Sequence, residues 1–411
     1  MKHKRTLAAC CGGIFTEAII TNITAILFVP MMSLYGFDYR HLGLLVAINF
    51  TSQVVADIIF SGLIDRLGYR KIVQPACAVA TIMLVLFSLT PYIFPKEYIF
   101  LGISITTFIF AFSSGLLEIV LSPIVDGVSE EDGGAAMSFM HSFYAWGQVA
   151  TIIVTTLLVF WWGKEYWNFT VLIWAIIPLS TFFVFRKSFL PETTPENMRV
   201  SILKQITKPF YMVAMLAIFF GAGAEVVMNQ YASTFMEKGL NLPKLTGDLL
   251  GMTGYAVMLG LGRLMYGFFG SKLNINKIII FMAFGAFLCY LIVALSPITA
   301  ISVAGCVACG FATSLLWPGT LVVTANKYPL SGAWVFAILA AAGDIGASAF
   351  PYLTGASIDG VMGSTFIGRF AQTLGTSSEQ AALRFGLLVS AVLPIFCMVC
   401  HIYLKRKKYE N

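Results

Sequence analysis

Charge is what this chain has least of. Only 11% of its 411 residues are charged, while 58% are hydrophobic; an ordinary soluble domain carries about 25% charged and about 45–50% apolar residues. So few charges exclude a soluble domain, which would be left with a large apolar surface in water. They exclude disorder as well, which needs low hydrophobicity and high charge. Cysteine is also scarce, at eight residues mostly inside apolar runs, so there is no disulfide scaffold. Cys306-Val-Ala-Cys309 has redox or metal spacing but no further ligands nearby, and reads as packing. No Gly-x-x-x-x-Gly-Lys-Ser/Thr loop is present, so ATP-driven pumping has no support. No serine, cysteine or metal constellation suggests an enzyme, and neither a bound metal nor a cofactor is expected. The net charge of +6 lies in short clusters between apolar runs, which is unlike a nucleic-acid surface and like a polytopic membrane protein.

Long apolar runs are what the chain has instead. A bilayer core about 30 Å thick needs about 20 apolar residues per helix. Charged and Pro/Gly punctuation divides the chain into twelve such runs, at 6–35, 41–63, 72–91, 97–126, 134–160, 167–186, 208–237, 246–270, 277–295, 298–325, 332–358 and 380–404. The basic N-terminus and first run resemble a signal peptide but lack a cleavage site, so the run is read as a retained span. With the N-terminus inside, the bases at 2–5, 66–71, 186–208, 272–277, 327 and 405–408 are cytoplasmic. They outnumber the outer bases (Arg40, Lys96, Lys164, Lys238, Lys244 and Arg369) threefold. The positive-inside rule therefore places both termini in the cytoplasm. Trp161, Trp162 and Trp167 flank a loop and read as interfacial belt residues.

A polar stretch at 187–207 separates residues 1–186 from 208–411, six spans each. The halves repeat weakly: Phe112-Ser-Ser-Gly-Leu-Leu-Glu118 aligns with Phe311-Ala-Thr-Ser-Leu-Leu-Trp317, Glu17 and Asn22 with Glu225 and Gln230, and Gly147-Gln148 with Gly343-Asp344. Parallel repeats of this kind mark two-bundle transporters. The expected fold is an all-α membrane protein of twelve transmembrane helices in two pseudo-symmetric six-helix bundles.

Between the second and third runs stands Ser61-Gly-Leu-Ile-Asp65-Arg66-Leu-Gly68-Tyr-Arg70-Lys71. An acid beside a helix start, a glycine turn and a basic cluster belong together at a cytoplasmic loop. The segment resembles the signature of the major facilitator superfamily, Gly-x-Leu-x-Asp-Arg-x-Gly followed by bases, with Ser61 in place of the first glycine. A narrower resemblance lies in Gly115-Leu-Leu-Glu118-x-x-x-Ser122-Pro123 and Ala136-Met-Ser-Phe-Met-His141-Ser-Phe-Tyr144-Ala-Trp-Gly147, with Glu17 and Gly223-Ala-Glu225-Val226. These are similar to the fucose–proton symporter family, which has acids on helices 1 and 4. Ser122, His141 and Tyr144 depart from that family's Asn, Gln and Asn, so the resemblance implies a sugar without implying fucose.

Ionisable residues inside spans cost about 2.5–3.5 kcal/mol to insert and usually face a cavity or a partner. Glu17, about 16 Å into the first run, and Glu118, about 12 Å from the cytoplasmic end of the fourth, fall near the midplane. Both are assigned to proton coupling. Asn22, His141, Tyr144, Gln148, Glu225, Asn229, Gln230, Trp317 and Asp344 are assigned to the solute. Sugars need amides plus a ring face in a concave site, which Gln53, Trp146 and Tyr231 also supply. Asp57, about 12 Å before Asp65, joins Asp65, Arg66, Gly68, Arg70 and Arg263 as gating residues. The acid facing Arg263 is left open by the sequence.

The expected function is proton-coupled import of a small polar solute, a sugar first, by a monomer in the plasma membrane. Sodium is the alternative coupling ion, since the same carboxylates could ligate it. Export, or drug–proton antiport, is the alternative direction. It is weakened because the fifth span, Ser138 to Leu158, has one glycine and no proline, whereas such exporters resemble one another in a glycine-proline motif there.

Overall fold

A computed structural model describes residues 2–60, 63–128, 133–191, 207–269, 274–327 and 333–407. Within them the secondary structure is helical, as a chain in lipid requires, because a helix satisfies its own backbone polar groups. The elements are α1 (Lys2–Tyr35), α2 (Tyr39–Phe60), α3 (Arg70–Ile93), α4 (Ile99–Val128), α5 (Gly133–Trp162), α6 (Trp167–Trp174 and Ile176–Arg186), α7 (Pro209–Thr234), α8 (Thr253–Phe269), α9 (Ile275–Leu295), α10 (Thr299–Thr313 and Leu316–Lys327), α11 (Ala333–Val361) and α12 (Ser378–Ser390 and Val392–Lys407). Ten of these segments are long and apolar enough to cross a membrane; α8 and α11 occupy the other two expected runs.

Three spans are broken, and one cause serves all three. Proline has no N–H to give to the carbonyl four residues earlier. Pro178, Pro318 and Pro394 therefore strand the carbonyls of Trp174, Ser314 and Ser390, and the first pieces of α6, α10 and α12 end at Trp174, Thr313 and Ser390. Gly68 supplies the turn before α3 with φ +77°, a conformation open to glycine and strained for other residues.

The chain divides into two compact units. One contains residues 1–36 and 48–198, the other 37–47 and 199–411. This differs in two places from the expected division. Residues 37–47 belong to the second unit, where the Arg40 backbone N–H donates to Asp359 Oδ2 at 2.6 Å, Tyr39 Oη to Glu379 Oε1 at 2.6 Å, and Ser348 Oγ to the Ala47 carbonyl at 2.9 Å. Residues 187–190 are held in the first unit, where Thr6 Oγ1 donates to the Phe189 carbonyl at 2.6 Å. The remainder of the expected linker, 192–206, lies outside the described residues, as do Ser61 and the acidic loop 130–132.

Small residues bring helices together within each unit, as is general in membranes. In the first unit a Cβ on Gly13 of α1 would stand 2.7 Å from Leu121 of α4. One on Gly115 of α4 would stand 2.9 Å from the Gln53 backbone of α2, and one on Gly147 of α5 would stand 2.9 Å from Ala18 of α1. In the second unit Gly310 of α10 meets the Tyr255 carbonyl of α8, and Gly346 of α11 meets the Phe219 carbonyl of α7. Of the three expected belt tryptophans, Trp161 and Trp162 are exposed. Trp167 is not: it is fully buried and donates Nε1 to Tyr35 Oη at 3.2 Å.

Candidate functional site

The glycine contacts fix the depth of the acids in the first unit. Successive spans alternate in direction, so α1 and α4 run antiparallel while α2 and α4 run parallel. From the Gly13–Leu121 contact, one turn up α1 leads to Glu17 and one turn back along α4 leads to Glu118. From the contact of Gly115 with Gln53 and Ala56, one further turn on both helices leads to Glu118 and Asp57. Three carboxylates from three helices thus share one level. Their charges act on one another, Glu17 with both Glu118 and Asp57, and Asp57 with Glu118.

Glu17 and Asp57 are 7% and 5% exposed, and Glu118 is half-buried. Glu17 Oε1 and Asp57 Oδ1 are buried with no hydrogen-bond partner among the described residues. Among the described residues no Lys, Arg or His forms an ion pair with any of the three. Nor do three His, Cys, Asp or Glu side chains converge closely enough to hold a metal ion, again among the described residues.

Amides continue the polar face. Asn49, Gln53 and Asp57 recur every fourth residue along one side of α2. Gln53 Nε2 donates to Asn49 Oδ1 at 2.9 Å, and Asn49 Nδ2 to the Ile20 carbonyl of α1 at 2.9 Å. Asn22 Nδ2 donates to the Ala18 carbonyl at 2.8 Å, and Gln148 is fully buried beside the Gly147–Ala18 contact. Asn49 is absent from the sequence-derived set, although its spacing from Gln53 and Asp57 was the available signal. His141 and Trp146 are exposed on α5, and Tyr144 is half-buried against the apolar cluster that includes Leu117 and Met140.

In the second unit Glu225 of α7 finds the base that the sequence left open. Arg263 Nη2 of α8 donates to Glu225 Oε1 at 2.7 Å, and Arg263 Nε donates at 3.2 Å to the Ser314 carbonyl stranded by Pro318. Tyr255 Oη donates to the Glu225 carbonyl at 3.0 Å, and Tyr290 Oη to that of Ala224 at 2.7 Å. Trp317 is half-buried with its ring over Gly343, next to the buried Asp344. Asn229 and Gln230 are buried on α7, while Tyr231 is a packing residue whose hydroxyl donates to the Pro351 carbonyl at 3.0 Å. Glu17 and Glu225, paired by the repeat, differ in company: the first has like charges around it, the second a guanidinium.

Of the gating set, Arg70 has a definite structural task. Its Nη1 donates to the Phe185 and Arg186 carbonyls at 3.0 and 3.2 Å, and its Nη2 to that of Ser188 at 2.6 Å. It caps the C-terminus of α6, where free carbonyls and the helix dipole favour a cation. Arg384 on α12 does the same for α9, donating to Val293, Ala294 and Ser296 carbonyls at 3.2, 3.4 and 2.7 Å. The side chains of Asp65 and Arg66 lie outside the described residues. Cys306 and Cys309 are buried free thiols.

A family model described as "Major Facilitator Superfamily" matches residues 10–351. No curated protein sequence matches the chain significantly. Among solved structures, a bacterial homologue of the human lysosomal transporter Spinster superposes with a TM-score of 0.77 at 12% identity, covering 98% of this chain and 97% of the other. The nucleoside transporter NupG superposes with a TM-score of 0.72 at 14% identity over 99% and 100% of the two chains. The E. coli fucose:proton symporter FucP superposes with a TM-score of 0.63 at 14% identity over 98% and 99%. At these identities the likeness is one of fold.

Proposed function

The chain belongs to the major facilitator superfamily, a twelve-helix multi-pass membrane transporter rather than an enzyme, and from that premise we propose that it imports a small polar solute, a sugar first, driven by protons. The observation that carries this reading is the group of buried Glu17 and Asp57 with half-buried Glu118 at one level, none of them ion-paired to a base among the described residues. In a low-polarity bundle an uncompensated carboxylate is costly as an anion and tolerable as an acid. Gaining and losing a proton is thus the chemistry open to it. Glu118 and Glu17 load a proton from outside, solute binds that neutral state, and loss of the proton inside follows release.

The sugar assignment rests on the amides Asn22, Gln148, Asn229 and Gln230 and the half-buried Trp317 ring, groups that suit hydroxyls and a sugar face. It also rests on the resemblance of α4 and α5 to the fucose–proton symporter family. We place it in the plasma membrane as a monomer, the default for this architecture, and the distribution of its bases puts both termini in the cytoplasm.

The test is uptake of labelled pentoses, hexoses and nucleosides into proteoliposomes under a pH gradient, a sodium gradient or neither. Accumulation of a sugar under the inside-alkaline gradient alone is expected. Accumulation under sodium alone would replace the coupling ion, and no accumulation of any sugar under either gradient would remove the sugar reading.

A further inference from the structure

Asp57 has no place in the two-acid scheme, yet the fold puts it at the level of Glu118. Gly115 makes this possible, because without a side chain α4 closes on α2 until its Cα would place a Cβ 2.9 Å from Gln53 Cα and 3.0 Å from Ala56 Cβ. Asp57 is the next residue on α2 and Glu118 lies one turn on along α4, in the same direction. Asp57 is 5% exposed, and its Oδ1 is buried without a hydrogen-bond partner among the described residues. That vacant acceptor is where a proton can reside. At its level stand Glu118 of α4 and Glu17 of α1, and among the described residues none of the three is ion-paired to a base.

We propose that Asp57 is a third proton-carrying carboxylate, sharing one proton with Glu118. The inference deepens the proton-coupled reading and rests on it. In the shared step the O–H bond of the Glu118 carboxyl breaks and an O–H bond forms at Asp57 Oδ1. Glu118 becomes the carboxylate and Asp57 the neutral acid, so the pair keeps its charge and no co-reactant is needed. Asp57 therefore belongs with the coupling acids, away from the loop gate to which its spacing from Asp65 assigned it.

The test uses the full-length protein in nanodiscs and needs no solute. The infrared C=O absorption of protonated carboxyl groups is followed against pH for the wild type, Asp57→Asn, Glu118→Gln and Asp57→Glu. Two acids sharing a proton titrate as a pair, so the wild type shows two interdependent steps. Each neutralising variant leaves one step of the pair, with its midpoint moved by on the order of one pH unit or more. Asp57→Glu, which keeps a carboxylate, restores two steps; a merely structural aspartate would not give this rescue. If Glu118 titrates at the same midpoint with and without the Asp57 carboxylate, and Asp57 likewise without Glu118, the proposal is overturned. Failure of the underlying reading looks different: Glu118→Gln would still accumulate solute under a pH gradient, whatever the infrared titration shows.

Discussion

Arg263 of α8 holds Glu225 of α7 at 2.7 Å, and with its Nε it also satisfies the Ser314 carbonyl that Pro318 strands in α10. One guanidinium thus joins three helices of the second unit, by charge at one end and by repair of a broken helix at the other. The pair is part-buried, and removing one partner leaves the survivor uncompensated and costs more than removing both. We expect Arg263→Met to lower the melting temperature more than Glu225→Gln, since it also abandons the Ser314 carbonyl. The double variant should fall short of the sum by on the order of 0.5–3 kcal/mol. Thermal unfolding in detergent, arranged as a double-mutant cycle, reads this directly; strict additivity would show that the pair is not coupled.

Arg384 is expected to matter for stability alone. Its Nη1 caps the end of α9, and a hydrogen bond from a charged donor contributes about 1.5–3 kcal/mol. Arg384→Met should lose about that much in unfolding experiments, while Arg384→Lys, a point donor in place of a planar fork, recovers only part. Solute affinity should be unchanged in the protein that remains folded.

Gly115 sets the spacing of α2 and α4. Gly115→Val places methyl groups where the Gln53 backbone stands, and overpacking of this kind costs about 1–3 kcal/mol. Because the same contact levels Asp57 with Glu118, transport should fall further than stability does. Gly360, whose Cβ position is open space, is the control: Gly360→Ala should change neither.

Glu118→Gln keeps the shape of the side chain and removes its proton chemistry. Gradient-driven accumulation should drop by at least about tenfold, at the low end of what a proton-transfer group contributes, while exchange of labelled for unlabelled solute across the membrane continues. For the wild type, uptake should rise as the outer solution is acidified, since protonation there precedes solute binding. A Glu118→Gln transporter that accumulates solute as well as the wild type does would exclude Glu118 from coupling.

Much of the architecture was legible because insertion is decided segment by segment. Whether twenty residues cross a bilayer depends on their own apolarity, so composition and spacing marked the spans. The acids were legible for the same reason: a carboxylate in an apolar run stands out, and Glu17, Asp57, Glu118, Glu225 and Asp344 were all visible. Trp167 was misread as a belt residue because nothing in its neighbours along the chain distinguishes it from the exposed Trp161 and Trp162; only Tyr35 and Phe87, from other helices, enclose it.

By itself the sequence determined that this is a membrane transporter of helical spans, how many there are, and at what depth its ionisable groups lie. Tertiary structure alone decided their company. Glu17 and Glu225, equivalent in the repeat, end beside two carboxylates and beside one guanidinium, and Arg70 turns to cap α6. Depth along a helix is a local quantity, counted in residues. Partnership depends on how helices distant in sequence are rotated and how closely they approach, and contacts such as Gly13 with Leu121 and Gly115 with Gln53 settle that only when the chain has folded.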